Sequence, residues 1–177
     1  MENLKSNFRP SVVEAGLSFA EILRPFDGQR LLLADGVGGF FGSRKFTRPI
    51  SKEEVYLIYI TPRSLNFKEP VVAERVIKKA QKRRKTLGLC PMETAMNWAG
   101  KVSEEEFSFE ENYHIVSEPQ LDKTVRPDTP DFLKVEKTDE RKLSVSGWNQ
   151  TDLIELDDFL VFRDISKMSK RSNLTNL

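Results

Sequence analysis

Val55, Tyr56, Leu57, Ile58, Tyr59 and Ile60 form an unbroken run of β-branched, aromatic and leucine residues, closed by Thr61 and Pro62. Such a run reads as a buried strand. From Glu69 the spacing changes: Val72, Val76, Ala80 and Leu87 recur at helical intervals, and Gly88 stands where a C-terminal cap would. Pro91 opens a second, shorter helix over 92–98, ended by Gly100. A chain carrying both periods must bury a sheet against helices. The fold class expected is α+β, a mostly antiparallel sheet with the helical pair, about residues 69–100, packed on one face.

The flanking segments fill in the sheet. Residues 30–34 and 40–46 read as strands around the turn Asp35-Gly36-Val37-Gly38-Gly39, and with 55–60 they make a plausible meander. Before them, Pro10 and the spacing of Val13, Leu17, Ala20 and Leu23 predict a short helix that Pro25 closes. After them, Phe107, Phe109, Tyr113 and Ile115 keep the strand period, provided Glu111 is accepted on their face. Residues 132–135 and 143–145 suggest a hairpin around 138–140, residues 159–162 a strand, and 152–158 either helix or strand. One domain over 1–165 is expected, with a possible internal boundary in the proline-rich loop 117–131. Residues 166–177 read as a basic, flexible tail.

Composition narrows the chemistry. The 28 Lys plus Arg nearly balance 27 Asp plus Glu, but they are segregated. Residues 1–103 hold 18 basic and 10 acidic side chains, while 104–165 hold 7 and 17. One cysteine, Cys90, excludes an intramolecular disulfide and cysteine-rich metal sites. Its setting between Leu89 and Pro91 suggests a buried thiol, and the two tryptophans, Trp98 and Trp148, suggest core anchors. No apolar leader and no membrane-length apolar stretch stands in the sequence, so a cytoplasmic protein without a membrane partner is expected.

The densest chemical signal is basic. Arg75, Lys78, Lys79, Lys82, Arg83, Arg84 and Lys85 put seven cations into eleven residues. At ~100° per residue, Arg75, Lys78, Lys79, Lys82 and Arg83 share one face of the helix. Like charges so arranged repel one another, and phosphates would relieve that repulsion. A second signal is the hairpin around Arg44, Lys45, Phe46 and Arg48, where aromatic and cationic groups alternate as they do in sites that stack bases and track phosphates. These two features predict a non-enzymatic module of a nucleoprotein assembly, without a cofactor. The basic helix would contact single-stranded RNA or DNA, and the acidic segment 104–165 would face a protein partner.

Two alternatives compete. The oppositely charged halves could pair in cis or between subunits, making a protein-interaction or regulatory domain. Asp152, Glu155, Asp157, Asp158 and Asp164 could instead hold Mg²⁺ in a metal-dependent nuclease. Neither nucleotide-binding glycine pattern is met. Phe41 occupies the third glycine position after Gly36 and Gly38, and Val102 stands where a P-loop needs Ser or Thr. His114, the one histidine, alternates to the polar side of its strand and is expected to be exposed.

Overall fold

A computed structural model describes residues 9–17, 21–22, 24, 31–34, 37, 52–103, 112–117, 130–137 and 143–170. The elements, in chain order, begin with strands β1 (Val12–Ala15), β2 (Leu31–Leu33) and β3 (Glu53–Ile60) and the 3-10 turn η1 (Arg63–Leu65). Next come β4 (Val71–Val72), helix α1 (Ala73–Arg83), β5 (Leu87–Gly88) and helix α2 (Thr94–Ser103). The rest are β6 (Tyr113–Ile115), β7 (Phe132–Lys137), β8 (Leu143–Trp148), β9 (Leu153–Ile154), β10 (Phe159–Asp164) and the 3-10 turn η2 (Ile165–Lys170). The main sheet runs β1-β3-β10-β6-β7-β8-β2, with β5 also paired to β10, and β4 pairs with β9 in a separate ribbon. Only β10 with β6 and β2 with β8 run parallel among its named pairs. The class is therefore α+β with a mostly antiparallel sheet.

Both faces of this sheet are buried, and strand alternation sorts the residues between them. Val55 and Leu57 of β3, Val161 of β10, Tyr113 and Ile115 of β6, Leu133 and Val135 of β7 and Val145 of β8 join one core, which also takes Ala95, Met96, Trp98, Ala99 and Val102 of α2. The residues between them, Leu160, Phe162, Phe132 and Trp148, join the second core with Ala73, Val76 and Ala80 of α1. The two helices thus lie on opposite faces, a correction to the single face expected. The interposed β10 is apolar on both sides, through Val161 on one and Leu160 and Phe162 on the other, and each such face needs its own cover. Burying each large apolar side chain contributes ~1.5–3 kcal/mol.

Several local expectations also change. The segment expected as a first helix begins instead as β1, with Val13 paired to Val55 and Ala15 to Glu53. Val13 and Ala15 are buried while Glu14 is exposed, which is period two. β2 pairs with β8, and β3 lies between β1 and β10 rather than as the third strand of the expected meander; residues 40–46 lie outside the described residues. α1 stops at Arg83, because Arg84 is extended (φ −132°, ψ 104°) and Leu87 and Gly88 pair with Asp164 and Arg163. α2 begins and ends later than expected, with Gly100 buried inside it. The 132–145 hairpin is present and longer, pairing Phe132 with Trp148 through to Lys137 with Leu143. Residues 152–158 resolve into β9 and turns, and the tail begins as η2.

Two helix–backbone contacts fix the layers. α1 has no side-chain N-cap, but the carbonyls of Asp152 and Gln150 accept the N–H groups of Ala73 (2.9 Å) and Glu74 (3.1 Å). These are donors a helix leaves unpaired at its start. On the other face, α2 lies along the outer edge of β1. The Lys101 ammonium donates to the Val12 carbonyl (2.9 Å), Asn97 Nδ2 donates to the Glu14 carbonyl (2.7 Å), and a Glu93 carboxylate oxygen accepts the Gly16 N–H. Four helical residues rise ~6 Å, and two strand residues span ~6.8 Å. Side chains at i, i+4 and i+8 therefore meet every second backbone group of an antiparallel strand edge.

Candidate functional site

α1 presents its cations outward because Val76 and Ala80 face the core on the other side. Arg75, Lys78, Lys79, Lys82, Arg83, Arg84 and Lys85 are all exposed. Lys78 pairs with Glu74 on its own helix at 2.6 Å. Lys79 lies over the Phe67 ring, 4.2 Å from its centroid. Arg83 donates to the Ser64 carbonyl at 3.0 Å, and Arg84 reaches Asp164 at 3.6 Å. Among the described residues no carboxylate pairs with Arg75, Lys79, Lys82, Arg83 or Lys85. The structure therefore places five of the expected site residues, Arg75, Lys78, Lys79, Lys82 and Arg83, on α1, and Lys85 in the turn just beyond its end. Arg44, Lys45, Phe46 and Arg48 lie outside the described residues.

The acidic half contributes little to neutralising this helix within the described residues. Its links to the basic half are Arg84 with Asp164, Arg63 with Asp157, and the reverse pair Arg163 with Glu53. Arg63 holds Asp157 through two 2.7 Å hydrogen bonds, which keep that carboxyl below the usual range. The contact lies at the surface, where solvent and salt screen such pairs and they contribute little to stability.

Asp158, expected as a possible metal ligand, belongs instead to a buried group the sequence did not disclose. His114 is 4% exposed, not on a solvated face, and its Nε2 lies 3.3 Å from Asp158 Oδ2. Asp158 Oδ1 also accepts the Asn112 backbone N–H at 2.9 Å, with the Asn112 amide nitrogen 3.3 Å from both carboxylate oxygens. Burial pushes the Asp158 carboxyl up, but the bonds from His114 and Asn112 outweigh it and hold the group below its ordinary range. An ionised carboxylate only accepts, which puts a proton on His114 Nε2. The Trp148 ring meets the imidazole edge to face at 5.0 Å, and among the described residues the buried Nδ1 has no hydrogen-bond partner.

Beside His114 in register is Lys134, whose ammonium contacts Glu136 at 2.6 Å. Ser146 donates to the other oxygen of Glu136 at 2.5 Å. Burial raises the Glu136 carboxyl, and the Lys134 and Ser146 bonds carry it below its usual value. The sequence signal for this polar shelf was the alternation of Lys134 with Glu136 and of Ser144 with Ser146, one side of a hairpin.

Cys90 is buried, its thiol pushed up to about 12 by burial, and it is an inert core group. Trp98 and Trp148 are both core residues, with indole N–H groups donated to the Tyr59 hydroxyl (2.8 Å) and the Leu133 carbonyl (2.9 Å). Among the described residues no three His, Cys, Asp or Glu side chains gather in a metal-binding arrangement, and no helix is long and apolar enough to cross a membrane. Compared with protein-family models, curated proteins and solved structures, the chain matches none.

Proposed function

We propose that this chain is a non-enzymatic, nucleic-acid-associated module, a subunit of a larger nucleoprotein assembly, that contacts the phosphate backbone through α1. The observation that carries the reading is the set of exposed cations, Arg75, Lys79, Lys82, Arg83 and Lys85, left without carboxylate partners among the described residues. Close like charges on a helix cost a few tenths of a kcal/mol per pair, and phosphates would offset that cost while releasing counterions. The acidic segment 104–165 is then available to a protein neighbour in the same assembly.

The test is retention. The protein purified without nuclease or a high-salt wash is expected to carry nucleic acid, seen as a raised ratio of absorbance at 260 to 280 nm. Filter binding is expected to recover labelled oligonucleotides at low salt and lose them as salt rises. A protein free of nucleic acid that retains no oligonucleotide at low salt contradicts the reading. Salt-sensitive self-association without such retention favours pairing of the two charged halves between subunits.

A further inference from the structure

We infer that the loop 61–67, through Ser64 and Phe67, presets Lys79 and Arg83 as a two-point clamp for a phosphate of the nucleic acid; this rests on the nucleic-acid reading above. Lys79 and Arg83 are i and i+4 on α1, exposed and one turn apart on the same side. The Lys79 ammonium stands 4.2 Å from the centroid of the Phe67 ring. Arg83 donates through Nη1 to the Ser64 carbonyl at 3.0 Å. Both supports belong to one short loop. Phe67 is half-buried and packs against the core beneath α1, which fixes the ring from below.

The loop is itself braced. The Ser64 N–H donates to Thr61 Oγ1 at 3.1 Å, and the Ser64 hydroxyl donates to the Thr61 carbonyl at 2.7 Å. The Leu65 and Phe67 N–H groups both donate to the Pro62 carbonyl, at 3.0 and 3.2 Å. Asn66 takes the left-handed conformation between them (φ 64°, ψ 32°), which asparagine adopts more readily than most residues. Arg63 is tied in turn to Asp157 by two 2.7 Å bonds. A long cationic side chain loses rotamer freedom when it grips a ligand, and a side chain already held loses less. Neither support is charged, so Lys79 and Arg83 keep their full charges and repel each other. A phosphate seated between them relieves that repulsion, and an uncharged base does not. Ser64 engages one donor of a guanidinium that carries five. Among the described residues Arg75, Lys82 and Lys85 have no such support.

Fluorescence anisotropy across a salt series tests this with a labelled mixed-sequence DNA, as single strand and as duplex. The variants are Lys79→Ala, Lys82→Ala, Phe67→Leu and Phe67→Leu/Lys79→Ala, each checked by a thermal melt. Lys79→Ala and Lys82→Ala each remove one cation and are expected to lower the salt slope by about 1. At a fixed salt, Lys79→Ala is expected to weaken binding at least ~3-fold more than Lys82→Ala, because it removes a charge that was held in place. Phe67→Leu keeps an apolar side chain in the core and removes no charge. It is expected to weaken binding ~3-fold with the slope unchanged, and to do nothing further once Lys79 is alanine. Equal losses for Lys79→Ala and Lys82→Ala overturn the inference. So does a Phe67→Leu variant that binds as the wild type does, or one whose loss is the same with and without Lys79, since Phe67 then acts by another route. A wild type that binds neither form at low salt would instead strike the nucleic-acid reading itself.

Discussion

His114 shows why a single residue's environment was the hardest thing to read. The alternation of 113–115 correctly set it opposite Tyr113 and Ile115, but the inference that this side is solvated assumed a sheet with one wet face. The second face is covered, so the imidazole is buried against Trp148 and held by Asp158. Asp158→Ala would leave the Asn112 N–H and the His114 Nε2 proton without their acceptor, a loss of about 3 kcal/mol by urea unfolding at neutral pH. The pH dependence follows from the depressed carboxyl of Asp158. Its stabilisation is present above the ordinary aspartate pKa of ~3.9 and fades as pH falls through the lower folded value. The gap between wild type and Asp158→Ala is therefore expected to narrow in that acid window, and a gap constant down to the acid transition would contradict the assignment.

Gly147 is a second residue whose identity is set by packing rather than by a turn. A Cβ there would lie 2.4 Å from two atoms of the Pro130 ring, which cannot swing aside. Gly147→Ala is expected to cost about 1–3 kcal/mol through overpacking at the β7–β8 ribbon, measured by denaturant unfolding. A neutral substitution would mean that Pro130 is not seated there.

Among elements, the strong periodicities survived and their ends did not. The 55–60 run lies within β3 and the basic helix is α1, because an apolar stripe of that length fits one structure. The helical spacing runs past the true end of α1 because Arg84 leaves the helix and the Leu87–Gly88 pairing to β10 draws the chain into the sheet, a non-local choice. β1 was misread because Val13 and Leu17 satisfy a helical interval as well as a strand one, and its partner lies forty residues on in β3.

The α2 strap over β1 has a consequence at this scale. Asn97 and Lys101 satisfy carbonyls on the open edge of the sheet, and an open edge is a template for another strand. Replacing both by alanine is expected to cost about 1–3 kcal/mol. It is also expected to raise self-association in sedimentation velocity at high concentration. A stable double variant that remains monomeric would show that the edge is protected by something else.

At the scale of the whole molecule, the near-zero net charge conceals a division the fold preserves. The acidic half supplies β10 at the sheet centre and Asp158 to a buried pair, and Asp157 and Asp164 meet Arg63 and Arg84. Within the described residues it does not cover Arg75, Lys79 or Lys82. The basic face was legible from sequence because a charge run on a helix needs no tertiary knowledge to be placed. The polar shelf was not, because it draws His114, Lys134, Glu136 and Ser146 from three strands, and Asn112 and Asp158 from the residues just before β6 and β10. Their convergence depends on a strand order that crosses the sheet.

The central claim, that α1 binds phosphate through its unpaired cations, is tested most directly by the salt dependence of nucleic-acid affinity for the wild type and for Arg75→Ala/Lys82→Ala. Five cations on the face predict a slope of log affinity against log salt of roughly −4, and removing two is expected to reduce its magnitude by about 2. A wild-type slope near zero, or one the double variant leaves unchanged, would contradict the account.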